Sequence, residues 1–76
     1  MTPEIVMYLD RDMFDEKWNL RIVHVRLGEV RLEQRGKDAT GQENWTQYRE
    51  PHKALFVVMN SIARGNYFDP RKAEEG

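Results

Sequence analysis

The clearest hydrophobic pattern in the chain lies between Pro51 and Arg64. Apolar residues recur there at the i, i+3, i+4 and i+7 spacing that aligns side chains along one side of a helix: Leu55, Val58, Met59 and Ile62. Pro51 suits the first turn of a helix, and Gly65 follows where a left-handed residue commonly ends one. The pattern predicts a helix from Pro51 to Arg64 that packs its apolar stripe on the rest of the fold.

The residues between Trp18 and Arg35 have the pattern of a β-hairpin. Trp18–Leu27 is rich in β-branched and aromatic residues, as strands usually are. Gly28-Glu29 suits a two-residue turn, after which Val30–Arg35 would return as the second strand. We therefore predict two antiparallel strands joined by a tight turn.

A two-residue turn would also determine which residues face each other across the hairpin. The face that packs on the helix would be apolar, with the pairs Leu27 and Val30, Val25 and Leu32, and Val23 and Gln34. The face that points away from the helix would have the pairs Arg26 and Arg31, His24 and Glu33, and Ile22 and Arg35. Like charges directly opposite each other are unfavourable, so the first of these pairs would need an anion nearby. Either the acidic N-terminal segment or a partner could supply it.

The remaining segments complete a small α+β fold. Glu43–Arg49 predicts a third strand, and Ile5–Leu9 predicts an N-terminal arm or an edge strand. We expect a three-stranded antiparallel β-sheet, or a four-stranded one if the N-terminal segment joins it, packed against one C-terminal α-helix. The predicted organisation is an acidic arm or edge strand over residues 1–17, a β-β-β-α domain over residues 18–68 and a disordered tail over residues 69–76.

Composition and charge indicate where in the cell such a protein would work. The 76 residues include no cysteine, and the net charge is −1. The charges are unevenly spread, because Met1–Glu16 is acidic whereas Lys17–Lys37 is basic. The start of the chain lacks the pattern of a signal peptide, and no segment is long and apolar enough to cross a membrane. We expect a cytoplasmic protein that does not bind membranes.

No catalytic or metal-binding motif stands out. His24 and His52 have no second histidine or cysteine at a metal-ligand spacing. The acidic residues that begin at Asp10 lack the glycine that a calcium loop needs at its sixth position. The segment GKDATGQ lacks the residue order of a phosphate-binding loop. We predict no enzymatic activity, no metal and no cofactor.

The strongest candidate for a functional surface is the sheet face that would point away from the helix. Arginine and tryptophan are favoured at protein interaction hot spots, and they also contact phosphates and stack on bases. A solvated sheet face, in which the tryptophans only cover hairpin edges, is the alternative. The predicted partner-binding residues are Trp18, His24, Arg26, Arg31, Arg35 and Trp45.

About half of the chain resembles a known group of proteins, and this resemblance suggests a function. The segment WNLRIVHVRLGEVRLEQRGKDATGQENWTQYREPHKAL is similar to small, mostly uncharacterised bacteriophage proteins with a Trp-led strand, a tight hairpin and a Glu-aromatic strand before a helix. In size, lack of cysteine and charge-rich composition the chain also resembles phage inhibitors of host systems, including anti-CRISPR proteins. The resemblance implies a non-enzymatic protein that binds and masks a host protein or nucleoprotein complex in the host cytoplasm. A small nucleic-acid-binding module that uses the basic hairpin is the alternative function.

Overall fold

The computed structural model describes residues 4–75 and has an α+β fold, as the sequence predicts. Its five strands are β1 (Glu4–Arg11), β2 (Trp18–Arg26), β3 (Glu29–Lys37), β4 (Glu43–Gln47) and β5 (Tyr67–Phe68). A 3₁₀ turn (Pro51–Lys53) leads into helix α1 (Ala54–Ala63), and a second helix, α2 (Pro70–Glu75), follows β5. The expected three-stranded sheet with one C-terminal helix is therefore corrected to five strands and two helices. The extra elements are short or irregular, and such elements have weak sequence patterns.

All neighbouring strands are antiparallel, in the order β4-β3-β2-β1-β5. The segment expected to be an arm or an edge strand forms β1, which pairs with β2 and, at Tyr8 and Leu9, with β5. Residues 70–75, expected to be a disordered tail, form α2 instead. The N-terminal segment is thus part of the sheet.

The predicted register of the β2–β3 hairpin is wrong. The turn lies at Leu27 and Gly28, where Gly28 has a φ of 80°, and a bulge interrupts β2 between His24 and Arg26. As a result Ile22 faces Leu32, and Arg26 faces Glu29 rather than Arg31. Because β2 carries apolar residues on both of its faces, apolar alternation alone does not select one register.

Helix α1 covers one face of the sheet, but it does so with a different side from the predicted one. Ser61 is buried, and Ala54, Val57 and Val58 are half-buried, so the residues at i, i+3, i+4 and i+7 from Ala54 face the sheet. Three residues of the predicted stripe, Leu55, Met59 and Ile62, are exposed instead. Nearly every residue from Ala54 to Met59 is apolar, so the pattern identifies a helix without identifying its buried face. The small side chains of Ala54 and Ser61 leave room for a close approach to the sheet.

The sheet curls away from α1. Tyr8 on β1 and Trp45 on β4 have β2 and β3 between them, and in a flat sheet three strand spacings would cover about 14 Å. Their ring centroids are only 6.4 Å apart. The sheet face opposite α1 is therefore concave, and we call it the concave face. Buried residues lie on both faces: Leu9 and Leu20 are partners on the α1 side, whereas Val23 lies on the concave face.

Candidate functional site

A row of aromatic rings crosses the concave face. The ring of Trp18 stacks on Tyr8 and on Phe68, each at a centroid distance of 6.4 Å. Tyr8 also contacts Trp45, and the Arg21 guanidinium carbon lies 4.6 Å from the centre of the Trp45 ring. Such aromatic pairs and cation–π contacts each stabilise a fold by about 0.5–1.5 kcal/mol beyond the area they bury. The row links strands from both edges of the sheet.

A buried carboxylate lies at the centre of the same face. Glu33 has only 5% of its side chain exposed, and it accepts hydrogen bonds from Arg21 Nε at 2.7 Å and from Arg31 Nη2 at 2.8 Å. Removing a carboxylate from water is costly unless it is paired and hydrogen-bonded. Arg21 and Arg31 provide this pairing for Glu33, and in return much of their own charge is compensated within the chain.

Arg35 is held by a second polar network at one end of the concave face. Its guanidinium donates to the main-chain oxygen of Trp18 at 3.2 Å and to Asn19 Oδ1 at 2.8 Å. It also contacts Asp15 Oδ2 and Glu43 Oε1, both at 3.2 Å. Only 15% of the Arg35 side chain is exposed, so little of it remains to contact a partner.

The carboxylates of this second network are held in their charged form. The backbone N–H of Lys17 and the guanidinium of Arg35 lower the pKa of Asp15. The ammonium group of Lys17, 2.8 Å from Glu43 Oε1, is the main cause that lowers the pKa of Glu43, and the charge of Arg35 adds to it. An acidic residue of the N-terminal segment and one of β4 therefore both neutralise basic residues of the hairpin.

The structure brings together only some of the predicted partner-binding residues. Arg31, Arg35 and Trp45 lie on the concave face, and the ring of Trp18 joins them through its stack on Tyr8. His24 and Arg26 do not join this group.

The two excluded residues lie elsewhere on β2. His24 faces Val30 on the α1 side, with its Nδ1 3.8 Å from Glu4 Oε2. Arg26 lies beyond the bulge and pairs with Glu29 at 3.0 Å. The shifted register of the hairpin explains both differences from the prediction.

Sequence reasoning missed four residues of the concave face. Tyr8 falls in the segment predicted to be an arm or an edge strand, and Phe68 is the last residue of the predicted β-β-β-α domain. Arg21 alternates with Val23 and so belongs to the strand face predicted to pack on the helix. Glu33 was assigned to a pair with His24, although its sequence context carried a usable signal. The series Arg31, Glu33, Arg35 alternates charge at i, i+2 and i+4 along one strand, which places opposite charges side by side on one face.

The opposite side of the molecule has an uncovered apolar surface on α1. Four of its large side chains are between 41% and 73% exposed; we call them the helix surface, and they are Leu55, Phe56, Met59 and Ile62. Large apolar residues that lie close together on a surface commonly mark an interaction site, whereas single ones need no explanation.

An apolar cleft adjoins the helix surface. It has a volume of about 300 Å³ and lies between α1 and the hairpin, lined by Ile22, Val30, Leu32, Ala54, Leu55 and Val58. Leu27, at the hairpin turn, is almost fully exposed and does not line the cleft. The cleft and the helix surface share Leu55, so they form one continuous apolar region.

The loop between β1 and β2, residues 12–17, presents two more apolar side chains. Met13 is 92% exposed and Phe14 is 99% exposed. The loop is held by hydrogen bonds from the Asp12 N–H to the Lys17 carbonyl at 2.8 Å and from the Phe14 N–H to Asp12 Oδ1 at 2.7 Å. Glu16 has a φ of 59°, which is uncommon for a residue with a side chain. These hydrogen bonds hold the backbone of the loop, while the side chains of Met13 and Phe14 are left almost entirely exposed.

Among the side chains that the structure describes, those of residues 4–72, no group of three or more histidine, aspartate or glutamate residues is arranged to hold a metal ion. No helix in the described part of the chain is long and apolar enough to cross a membrane. What the geometry offers is a set of surfaces for contact.

Comparison with known proteins identifies no relative of this chain. No protein-family model matches the sequence, and neither a curated protein nor a solved structure matches the chain. The resemblance to small phage proteins stays a prediction.

Proposed function

We propose that this protein is a non-enzymatic binding protein and that its helix surface is where it contacts another protein. The observation that carries the proposal is the exposure of Leu55, Phe56, Met59 and Ile62 on one helix next to an apolar cleft. Each such side chain contributes about 1.5–3 kcal/mol when it passes from water to a buried site. A partner that covers the helix surface would gain that free energy.

The concave face supports protein binding less well than the helix surface does. Arg21 and Arg31 share Glu33, and Arg35 is held by Asp15 and Glu43. A partner that took these arginines would have to replace contacts that the chain already makes. Phe68 and Arg31 remain partly exposed, so the original set of partner-binding residues stays a prediction that mutation can test.

The ion pairs of these arginines also make nucleic-acid binding, the alternative function, less favourable. Phosphate binding depends on cations that release their counterions on contact. On the hairpin, Arg21, Arg31 and Arg35 already have carboxylate partners, so their positive charge is largely compensated. This favours a protein partner over a nucleic acid. The finer proposal is that the protein masks a host protein or nucleoprotein complex as a phage-type inhibitor does.

Capture of a partner with matched variants tests the proposal. A tagged Leu55→Ser/Met59→Ser variant should lose the protein that the unchanged chain retains from nuclease-treated lysate. It should also bind that purified protein at least about tenfold more weakly, since hot-spot side chains each contribute more than about 1.4 kcal/mol. Leu27→Ser, which changes an apolar residue outside α1, is the control and should bind as the unchanged chain does.

Two results would contradict the proposal. The double variant could keep full affinity while Arg31→Glu abolishes binding, which would move the contact to the concave face. Alternatively, nuclease treatment could release everything that is captured and affinity could fall steeply with salt, which would indicate a nucleic acid.

A further inference from the structure

The strand β4 forms an open edge of the sheet. In the strand order β4-β3-β2-β1-β5, β4 pairs with β3 on one side and with no strand on the other. We infer that two copies of this chain join along this edge, with their β4 strands antiparallel about a two-fold axis at Trp45. The two five-stranded sheets then form one continuous sheet. The inference goes beyond the proposed function, because it concerns β4 and not the helix surface.

The hydrogen bonds around β4 show which of its main-chain groups face the open edge. In an antiparallel pair, residues that exchange main-chain hydrogen bonds alternate with residues whose N–H and C=O groups point away from the partner strand. Tyr48 donates its N–H to the Leu32 carbonyl at 2.9 Å. Asp38 donates its N–H to the Gln42 carbonyl at 3.0 Å, and both bonds continue the register of the β3–β4 pair. Three residues therefore direct their main-chain groups toward the open edge: Glu43, Trp45 and Gln47.

This edge lacks the features that usually protect one. Natural sheets protect an edge with lysine, proline, a bulge, a very short strand or a covering element, because open edges pair with other strands. β4 has five residues in unbroken register and contains neither lysine nor proline. Among the residues that the structure describes, no hydrogen bond reaches its outward main-chain groups. The opposite edge is β5, which has only two residues. β4 is thus the edge that can accept another strand.

A second β4 satisfies all of these outward groups. With the two-fold axis at Trp45, that residue exchanges main-chain hydrogen bonds with its counterpart in the other copy. Glu43 of each copy does the same with Gln47 of the other copy. The pairing uses every outward N–H and C=O group of both strands and leaves no overhang. A two-fold interface requires such a self-complementary surface.

The side chains of the paired strands are also compatible. Glu43 lies opposite Gln47 of the other copy, and Asn44 lies opposite Thr46, so no like charges face each other. The Glu43 carboxylate makes two ion pairs within its own chain, at 2.8 and 3.2 Å, and the pairing does not require it to leave them. Joining the two edges therefore costs no internal contact of the monomer.

The length and the side chains of the edge favour a second copy over a foreign peptide. A turn within residues 38–42 precedes β4, and Pro51 begins the 3₁₀ turn after it, so the open edge is about as long as β4 itself. A foreign peptide gains its specificity from pockets that take its alternate side chains. The exposed residues Asn44 and Thr46 are instead small and polar, and they match each other across the two-fold axis.

Hydrogen exchange of the full chain, followed by NMR at low and high protein concentration, tests the inference. The amides of Glu43, Trp45 and Gln47 should exchange several-fold more slowly at high concentration, because only the dimer gives them hydrogen-bond acceptors. The amides of Asn44 and Thr46 are bonded to β3 in the monomer as well, so their exchange should change little. A dimer formed through another surface would not produce this alternation.

Two double variants at the same positions make the test more specific. Asn44→Lys/Thr46→Lys places lysines opposite each other twice, and it should weaken the dimer by about tenfold or more in sedimentation velocity. Asn44→Glu/Thr46→Lys places opposite charges there and should leave the dimer at least as stable as that of the unchanged chain. Both positions are exposed and lie opposite the uncharged Gly36 and Gln34, so circular dichroism should show that both variants keep the fold.

Several results would overturn the inference. The protein could remain monomeric up to about 1 mM, or form a dimer in which the three outward amides exchange as fast as in the monomer. The two double variants could have equal dissociation constants. The outward amides could also become protected only when a captured partner protein is added, which would assign the edge to a strand of that partner. Loss of the partner in Leu55→Ser/Met59→Ser concerns the helix surface alone, so the two proposals fail separately.

Discussion

The concave face and the α1 side of the sheet differ in how completely their side chains are partnered. On the concave face even the charged groups are satisfied: Glu33 accepts from two guanidiniums, and Arg35 contacts four other residues. On the α1 side the large apolar residues of the helix remain exposed next to an open cleft. The region richest in arginine and tryptophan thus makes most of its polar contacts within the chain, whereas the large apolar residues of α1 are exposed.

The contrast shows that residue type alone does not identify a binding surface. Arginine and tryptophan are favoured at interaction hot spots because they bury much area and form directional contacts. The same properties make them effective inside a small fold that has few other means of stabilisation. Whether such a residue binds a partner depends on whether its contacts are already made within the chain.

The largest expected effect comes from the buried carboxylate of the concave face. Glu33→Ala should lower the free energy of unfolding by about 3–5 kcal/mol, because it leaves Arg21 largely buried without its partner. Urea denaturation measures the loss. Glu29→Ala, which removes an exposed partner from Arg26, is the matched control and should cost less than about 1 kcal/mol. Equal losses in the two variants would show that the buried ion pairs of Glu33 stabilise the fold no more than an exposed pair does.

A pair of leucine substitutions compares the two sides of the helix–sheet interface. Leu20→Ala should cost about 2–5 kcal/mol, because Leu20 is buried between α1 and the sheet. Leu55→Ala should cost much less, since that side chain is mostly exposed. Thermal melts of both variants provide the measurement. A large loss for Leu55→Ala would mean that α1 packs with the side predicted from its sequence pattern.

The smallest expected effect is the response of the second polar network to acid. Asp15 and Glu43 have lowered pKa values in the folded protein, so their contribution to stability is present above the pKa of the unfolded chain, about 4. That contribution is lost as the pH falls through the lower folded values, because the unfolded state binds protons first. The melting temperature should therefore fall with acid less steeply in Asp15→Asn/Glu43→Gln than in the unchanged protein. Identical slopes in the two proteins would show that the ionised Asp15 and Glu43 do not contribute to stability.

The sequence was sufficient for the class of fold and for most of the main elements. The stretch from Pro51 to Arg64 predicted α1 within a few residues, and the glycine at Gly28 marked the hairpin turn. The faces were harder to predict, because β2 is apolar on both sides and α1 is apolar around much of its circumference. In both elements the buried face is selected by packing against other parts of the chain, and a local pattern does not contain that information.

The candidate site was predictable to a lesser degree. Arg31, Arg35 and Trp45 do lie on one face, but their ion pairs depend on the bulge in β2 and on the curl of the sheet. The helix surface was overlooked because its residues were assigned to the core. A helix with more apolar residues than one sheet face can cover is the signal that would have indicated it.

Methionine oxidation tests whether the helix surface is the contact surface. Met59 lies on that surface, Met13 lies in the exposed loop, and Met7 lies in β1 within the sheet. Peroxide treatment followed by mass spectrometry would compare the oxidation rate at each methionine in the free protein and in its complex with the captured partner protein. Binding should slow the oxidation of Met59 strongly and leave that of Met7 unchanged. Equal oxidation of Met59 in the free and the bound protein would contradict the proposal that the helix surface is the contact surface.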